Sequence, residues 1–243
     1  MKPTILMYTH TDVNDIWKLF FGQSEKWLKD YKKIICLNRE ISNNSIPSDY
    51  EKIYYNDSLI YRLRLLNCLK QIKDDFIIYH HEDMFLYEKP DLDRLEKYTD
   101  YLINNKNYHF VKLIRGGNQI GVGDLKYNEL KKINNTFEYI FAIQPTIWKR
   151  EKLIELIENS KGNTIWEFEV EAQKACRKNN IYGYYVDDGG VKRGRYHWDS
   201  KVYPYIATAI IKGGWNILEY EYELNKLFIE YNVDPKIRGI NKN

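Results

Sequence analysis

The chain has no long apolar run. A helix crossing a bilayer takes about 20 apolar residues in succession, and stretches such as FIIY at 76–79 fall far short of that. The amino terminus, MKPTILMYTHTD, lacks an extended apolar segment ending in small residues, so the sequence predicts a soluble, unsecreted, cytoplasmic protein. An excess of charge of one sign is missing too: 37 Lys and Arg stand against 34 Asp and Glu, a net charge of +3. That balance supplies no basic stripe for a nucleic-acid duplex, and nucleic acid is not expected as a partner. Cysteine is scarce, and Cys36, Cys68 and Cys176 have no CxxC spacing; they read as reduced core residues, not as a disulfide framework. With no repeat, low-complexity tract or internal linker, the 243 residues read as one large domain plus an appendage.

What is plentiful is aromatic: 22 Tyr and 6 Trp bring aromatics to 15 %. Such rings suit stacking on sugars or bases, and they equally suit an AT-rich coding sequence. Strand and helix patterns alternate. TILMYT (4–9), KIICL (33–37), EKIYY (51–55), FIIYH (76–80), YHFVKLI (108–114), FEYIFAIQ (137–144) and IYGYYV (181–186) read as strands. Helical spacing covers 12–31, 58–72, 91–105, 151–159 and 164–179, and RGGNQIGVGDLKYNE reads as a mobile loop. Alternation of this kind predicts a twisted, mixed α/β sheet with helices on both faces. The segment 200–243 reads as a helical extension packed on a main domain of residues 1–199, with a homo-oligomer contact as its other use.

The informative stretch is FIIYHHEDMFL, where an apolar strand empties into His80, His81, Glu82 and Asp83. Ligands in open α/β sheets sit beyond the carboxyl ends of strands, and carboxylates there suit Mg2+ or Mn2+. A zinc site would need further converging ligands, and adjacent histidines on a strand face opposite ways. A solvated charged turn is the remaining reading.

The stretch resembles the strand and acidic motif of GT-A glycosyltransferases, in particular the small nucleotide-sugar-dependent transferases of bacterial polysaccharide loci and large DNA viruses. The resemblance runs over residues 4–198 and includes TILMYTHTDVNDIW, YRLRLLNCL, FAIQPTIWKREKL, and WEFE followed by GGVKRGRYHW. In that family a DxD motif, or an ED or DD variant, binds the metal and diphosphate of the sugar donor. Here His81 takes the place of the first acid, giving an HED variant. The resemblance implies that Asp83 holds Mn2+ or Mg2+ with Glu82 assisting, and that a nucleotide-diphosphate sugar, a UDP-sugar first, is the donor. It further implies that Thr9 and Asp12 of THTD contact the nucleotide, although Asp12 also reads simply as a helix N-cap. Arg62 and Arg64 fall on different helix faces, and Arg62, which flanks the leucine face, is the candidate for the diphosphate; a structural salt bridge is the alternative. In WEFEVE, Glu169 and then Glu167 are the candidate bases for the acceptor hydroxyl, beside a Trp166 suited to stacking on a sugar. The late segment DDGGVKRGRYHW would close over the phosphates with Lys192, Arg193 and Arg195 and add His197 to the metal, or else form a charged surface hairpin turned at Gly189 and Gly190.

The sequence thus predicts a GT-A glycosyltransferase moving a hexose or deoxyhexose onto a glycan hydroxyl. Two rivals remain. A sugar nucleotidyltransferase would share the sheet, but THTDVND is not its Gly-rich phosphate loop; a noncatalytic glycan- or nucleotide-sugar-binding protein would keep the pocket without turnover.

Overall fold

A computed structural model describes residues 1–41, 45–118, 120–195 and 197–241. Part of the polar loop ISNNSIPSDY, Gln119 in the glycine-containing loop and Tyr196 in the late basic segment therefore lie outside the described residues. An eight-stranded sheet runs in the order β3-β2-β1-β4-β7-β5-β8-β6. Its strands are β1 (Thr4–Tyr8), β2 (Lys33–Leu37), β3 (Tyr50–Tyr54), β4 (Phe76–His81), β5 (Phe110–Lys112), β6 (Leu130–Lys132), β7 (Thr146–Lys149) and β8 (Gly183–Val186). β1 to β4 are mutually parallel, β7 is antiparallel to β4 and β5, and β6 is antiparallel to β8.

β1 and β2 are buried at every position, which a strand can sustain only with cover on both faces. One face carries Ile5, Met7, Ile35 and Ile78 against α1 (Trp17–Trp27), α3 (Leu92–Asn104) and α6 (Ile217–Glu230). The other carries Leu6, Ile34, Ile77 and Phe110 against α2 (Tyr61–Gln71), α4 (Arg150–Glu158) and α5 (Ile165–Lys178). A 3-10 helix, Thr11–Ile16, joins β1 to α1. The mixed α/β sheet with helices on both faces is the predicted fold.

Two segments depart from the predicted elements. FEYIFAIQ is not a strand: its apolar residues Phe137, Ile140 and Phe141 are spaced for one side of an irregular turn, and they plug the second core from a loop. The strand is the following TIWK, which inserts between β4 and β5. Nor is 115–129 a bare loop, because Lys132 donates its N–H to Val122, Asp124 to Leu130 and Gly121 to the Tyr185 hydroxyl, fastening it to β6 and β8.

The carboxyl-terminal segment is helical only in part. YIATAII leads into a hairpin of β11 (Ile210–Ile211) and β12 (Gly214–Trp215), after the earlier hairpin of β9 (Lys192–Arg193) and β10 (His197–Trp198). Lys212 and Gly213 both take positive φ, the conformation a two-residue hairpin turn requires. α6 and a short α7 (Pro235–Arg238) follow. Leu224 and Leu227 of α6 are buried in the first core, and Lys26 of α1 pairs with Glu230 at 2.7 Å.

Gly22 marks the closest approach of α1 to this segment: a Cβ there would stand 2.0 Å from the Tyr231 ring. Alanine is the better helix former by about 1 kcal/mol, yet Gly22→Ala is expected to destabilise the fold by roughly 1–3 kcal/mol through overpacking. Urea unfolding checks this, and in a Tyr231→Ala background the loss should shrink or reverse.

Candidate active site

The order of strands reverses between β1 and β4: the chain leaves β1 for β2 and β3 on one side and returns to lay β4 on the other. A crevice forms at the carboxyl ends of such a pair, because the connections diverge there to opposite faces. THTD follows β1 and HEDM ends β4, so both sequence candidates meet at this edge.

The register pairs Met7 with His80 and Tyr8 with His81. Successive side chains then part to opposite faces. His80 is buried in the first core, where Nδ1–H donates to the Met84 carbonyl (2.9 Å) and Nε2 accepts from the Tyr203 hydroxyl (2.8 Å). His81 turns to the second face, its Nε2 2.8 Å from the Tyr61 hydroxyl and 2.6 Å from that of Tyr79, which are themselves 2.5 Å apart. Burial pushes both imidazoles down to about 4, so both are neutral at pH 7. The divergence removes the zinc reading, and no three His, Cys, Asp or Glu gather to hold a metal among the described residues.

Glu82 and Asp83 continue into the turn, half-buried. The Asp83 carboxylate takes one long hydrogen bond from the Ile210 N–H (3.4 Å), and its carbonyl accepts from Ala209 (3.2 Å). Burial raises both carboxyls above their ordinary range, and for Glu82 the adjacent Asp83 adds to it. Arg238 lies near enough to offset part of that rise, but its guanidinium is bound to Asp15 and to the Gly213 carbonyl. Two crowded carboxylates offer the oxygen ligands that a hard divalent cation prefers, with Mg2+ in particular commonly taking one or two protein carboxylates and completing its shell from water and phosphate.

The other candidates are placed as follows. Thr9 is 1 % exposed; its hydroxyl accepts from Trp17 Nε1 (2.8 Å) and its carbonyl from the Tyr55 hydroxyl (2.8 Å), so it anchors the loop. Asp12 is not the N-cap: His10 caps the 3-10 helix through Nδ1, and Asp12 pairs in the open with Arg39 at 3.0 Å. Arg62 turns away from the strand ends, donating to the Ile157 carbonyl at the end of α4 (3.3 Å). Arg64 is the arginine that stays at the edge, beside Asp57 and over the Tyr55 ring. Glu167 closes a capping box with Thr164 and is drawn below its usual range by the N–H groups of Asn163 and Thr164. Glu169 instead faces inward, and its Oε1 accepts from the Ile143 N–H (2.8 Å). The preceding residue, Phe168, packs on the Tyr61 ring at 6.0 Å, which joins α5 to the His81 cluster.

The late basic segment is a hairpin turned at Gly194, not at Gly189 and Gly190. Arg193 is bound to Asp199 (2.7 Å) and Glu223 (2.5 Å), while Lys192 lies over the Trp198 ring and Arg195 is exposed. His197 sits 3.3 Å from Glu219 and stacks on Tyr220, so it is committed to α6 and not brought into contact with Asp83. Residues that sequence reasoning missed include Tyr61 and Tyr79 on His81, Trp17 on Thr9, and Arg238. Tyr61 opens a helix already singled out; Arg238 reaches the site from 155 positions away and left no local signal.

No protein-family model and no curated protein sequence matches the chain. Solved structures do. A CMP:2-keto-3-deoxy-manno-octonic acid synthetase complexed with CTP superposes with a TM-score of 0.51 at 9 % identity, over 76 % of this chain and 89 % of that one. S. aureus TarS superposes with a TM-score of 0.50 at 12 % identity, over 95 % of this chain but only 39 % of its own. At these identities the likeness is one of fold, and the fold is the Rossmann-like, GT-A-type sheet.

Proposed function

We propose that the chain is a glycosyltransferase that takes a sugar from a nucleotide-diphosphate donor, UDP-sugars first, and passes it to a glycan hydroxyl. The observation that carries this reading is the Glu82–Asp83 pair: two half-buried carboxylates with raised pKa, beside the switch point of the sheet, with the nearby Arg238 already committed to Asp15. Asp83, with Glu82, would hold Mn2+ or Mg2+; when bound, such a cation offsets the negative charge of the diphosphate leaving group. The Thr9–Asp12 loop borders the same crevice and would bind the nucleotide.

On the acceptor side, Glu169 is the candidate base. Its Oε1 is fixed by the Ile143 N–H, which orients the carboxylate, and Oε2 would take the proton of the incoming hydroxyl. On the same helix Trp166 is 76 % exposed and lines a groove of about 830 Å3 with Asn163, Val170 and Glu171. A flat apolar ring rimmed by amide and carboxylate groups suits stacking on a sugar. The exposed Lys192 and Arg195 would assist at the phosphates. A pyrophosphate-releasing nucleotidyltransferase is disfavoured by the β1 loop, where Thr9 to Asp12 bring neither glycine nor a phosphate-binding cation.

Purified protein is expected to release nucleotide from one member of a UDP-, GDP-, dTDP- and CMP-sugar panel in the presence of Mn2+, and Asp83→Ala to fold but lose this release by at least about a hundredfold. Pyrophosphate release from nucleoside triphosphate plus sugar phosphate would point to the nucleotidyltransferase instead, and binding without turnover to a noncatalytic protein.

The acid pair also predicts a pH dependence. Both carboxyls titrate higher folded than unfolded, so the folded state binds more protons and the metal-free protein should lose stability as pH rises from about 4, the ordinary carboxyl range, to about 8. Thermal melts should show this slope shrinking in Asp83→Asn, and Mn2+ should restore stability at pH 8 in the wild type alone.

Acceptor-side substitutions should separate from these. Glu169→Gln is expected to lower kcat for transfer by roughly a hundred- to ten-thousandfold with donor binding intact. Trp166→Ala should raise the acceptor KM by about tenfold, as loss of a stacking contact implies. Steady-state kinetics with separately varied donor and acceptor reads both.

A further inference from the structure

His81 occupies the place of the first acid of the motif, and its surroundings fix what it can do there. Nε2, the Tyr61 hydroxyl and the Tyr79 hydroxyl form a closed triangle of contacts. Each phenol brings one proton. If Nε2 carried a third, two of the three would be used within the triangle and one phenolic proton would have to turn out of it, where no protein acceptor stands among the described residues. With Nε2 bare, one phenol donates to the other and that one donates to Nε2, so both protons are used. The tautomer that uses every proton inside the triangle is the one with the ring proton on Nδ1. That atom has no protein partner among the described residues, and His81 itself is half-buried, not fully enclosed.

We infer that His81 Nδ1–H is a donor-binding group: a neutral hydrogen-bond donor to an anionic oxygen of the nucleotide's diphosphate, standing where the family motif has a carboxylate. The assignment rests on the proposed nucleotide-sugar reading. Its chemistry complements the acid pair that follows. Glu82 and Asp83 attract a cation and repel phosphate; an N–H donor at the adjacent position attracts phosphate and adds no charge to the pair. The tyrosines act through His81: they hold the ring in one orientation and one tautomer, and the stack of Tyr8 on Tyr55 (5.2 Å), with Tyr61 edge-on to Tyr8 (5.3 Å), backs them.

The test separates the two ring nitrogens. In His81→Gln the amide oxygen can take over the Nε2 acceptor role and leaves nothing at Nδ1; in His81→Asn an amide N–H lies near the Nδ1 position. Calorimetric titration with UDP, GDP, dTDP and CDP, each with Mn2+, and with the matching nucleosides, gives the readout. The expected result is diphosphate binding roughly ten- to a hundredfold weaker in His81→Gln, the loss of a hydrogen bond to a charged group, with nucleoside binding unchanged and His81→Asn within about threefold of wild type on the same scale. Nitrogen-15 NMR of the wild type should show a neutral His81 protonated at Nδ1, shifting when diphosphate is added, and this readout does not depend on how either variant folds. An Nε2–H tautomer, or diphosphate binding untouched by His81→Gln, overturns this assignment and leaves the transferase reading standing. A wild type that binds none of the nucleotides defeats both.

Discussion

The parallel pairing of β1 with β4 is the contact on which the candidate site depends. It sets Met7 opposite His80 and Tyr8 opposite His81, and the pleat then sends one imidazole into each core. A slip of one residue would exchange them, putting the Tyr203 partner and the Tyr61–Tyr79 partners on the wrong faces. The apolar alternation of Ile77 and Ile78 between the two cores resists that slip, so ordinary packing energy maintains the register of the functional groups. The same pairing creates the crevice, because β1 and β4 are the strands between which the order reverses.

Charge at this edge is arranged unevenly. In the late basic segment Arg193 is bound by Asp199 and Glu223, and His197, which burial keeps toward its neutral form, lies against Glu219. These contacts fix the β9–β10 hairpin to α6. Burial makes negative charge on the acid pair costly, so without a cation the pair retains protons that free carboxyls would have lost. A partly buried anionic pair of this kind favours whatever brings positive charge to it, and an incoming metal–diphosphate pair brings the cation together with the anion that His81 would meet.

The sequence made the sheet legible wherever burial dictated it. TILMY and KIICL are apolar because both faces are covered, and the helices with leucine spacing lie over them. The acidic strand end was legible for the same reason: a polar cluster that ends a buried run has to emerge at the sheet's edge. What failed was spacing without context. FEYIFAIQ is as apolar as a strand but has no neighbour to pair with, whereas the shorter TIWK has two. Glu167 and Glu169 are both acidic and two apart, and only the placement of the helix cap decides that the first serves Thr164 while the second turns inward to Ile143. Arg62 and Arg64 divide likewise, by the end of α4 that happens to meet one of them.

The carboxyl-terminal segment is the part least legible in advance and the part that ties stability to the site. Ala209 and Ile210 donate to Asp83, Arg238 holds Asp15 beside the 3-10 helix, and Trp215 and Leu224 lie in the first core. A hairpin turn at Lys212 and Gly213 sets the position of Ile210, so the backbone donor on the acid pair is placed by the tail and not by the sheet. Asp83 is therefore defined by two elements far apart in the chain, the end of β4 and the tail. Residues 200–241 are in this sense one wall of the crevice.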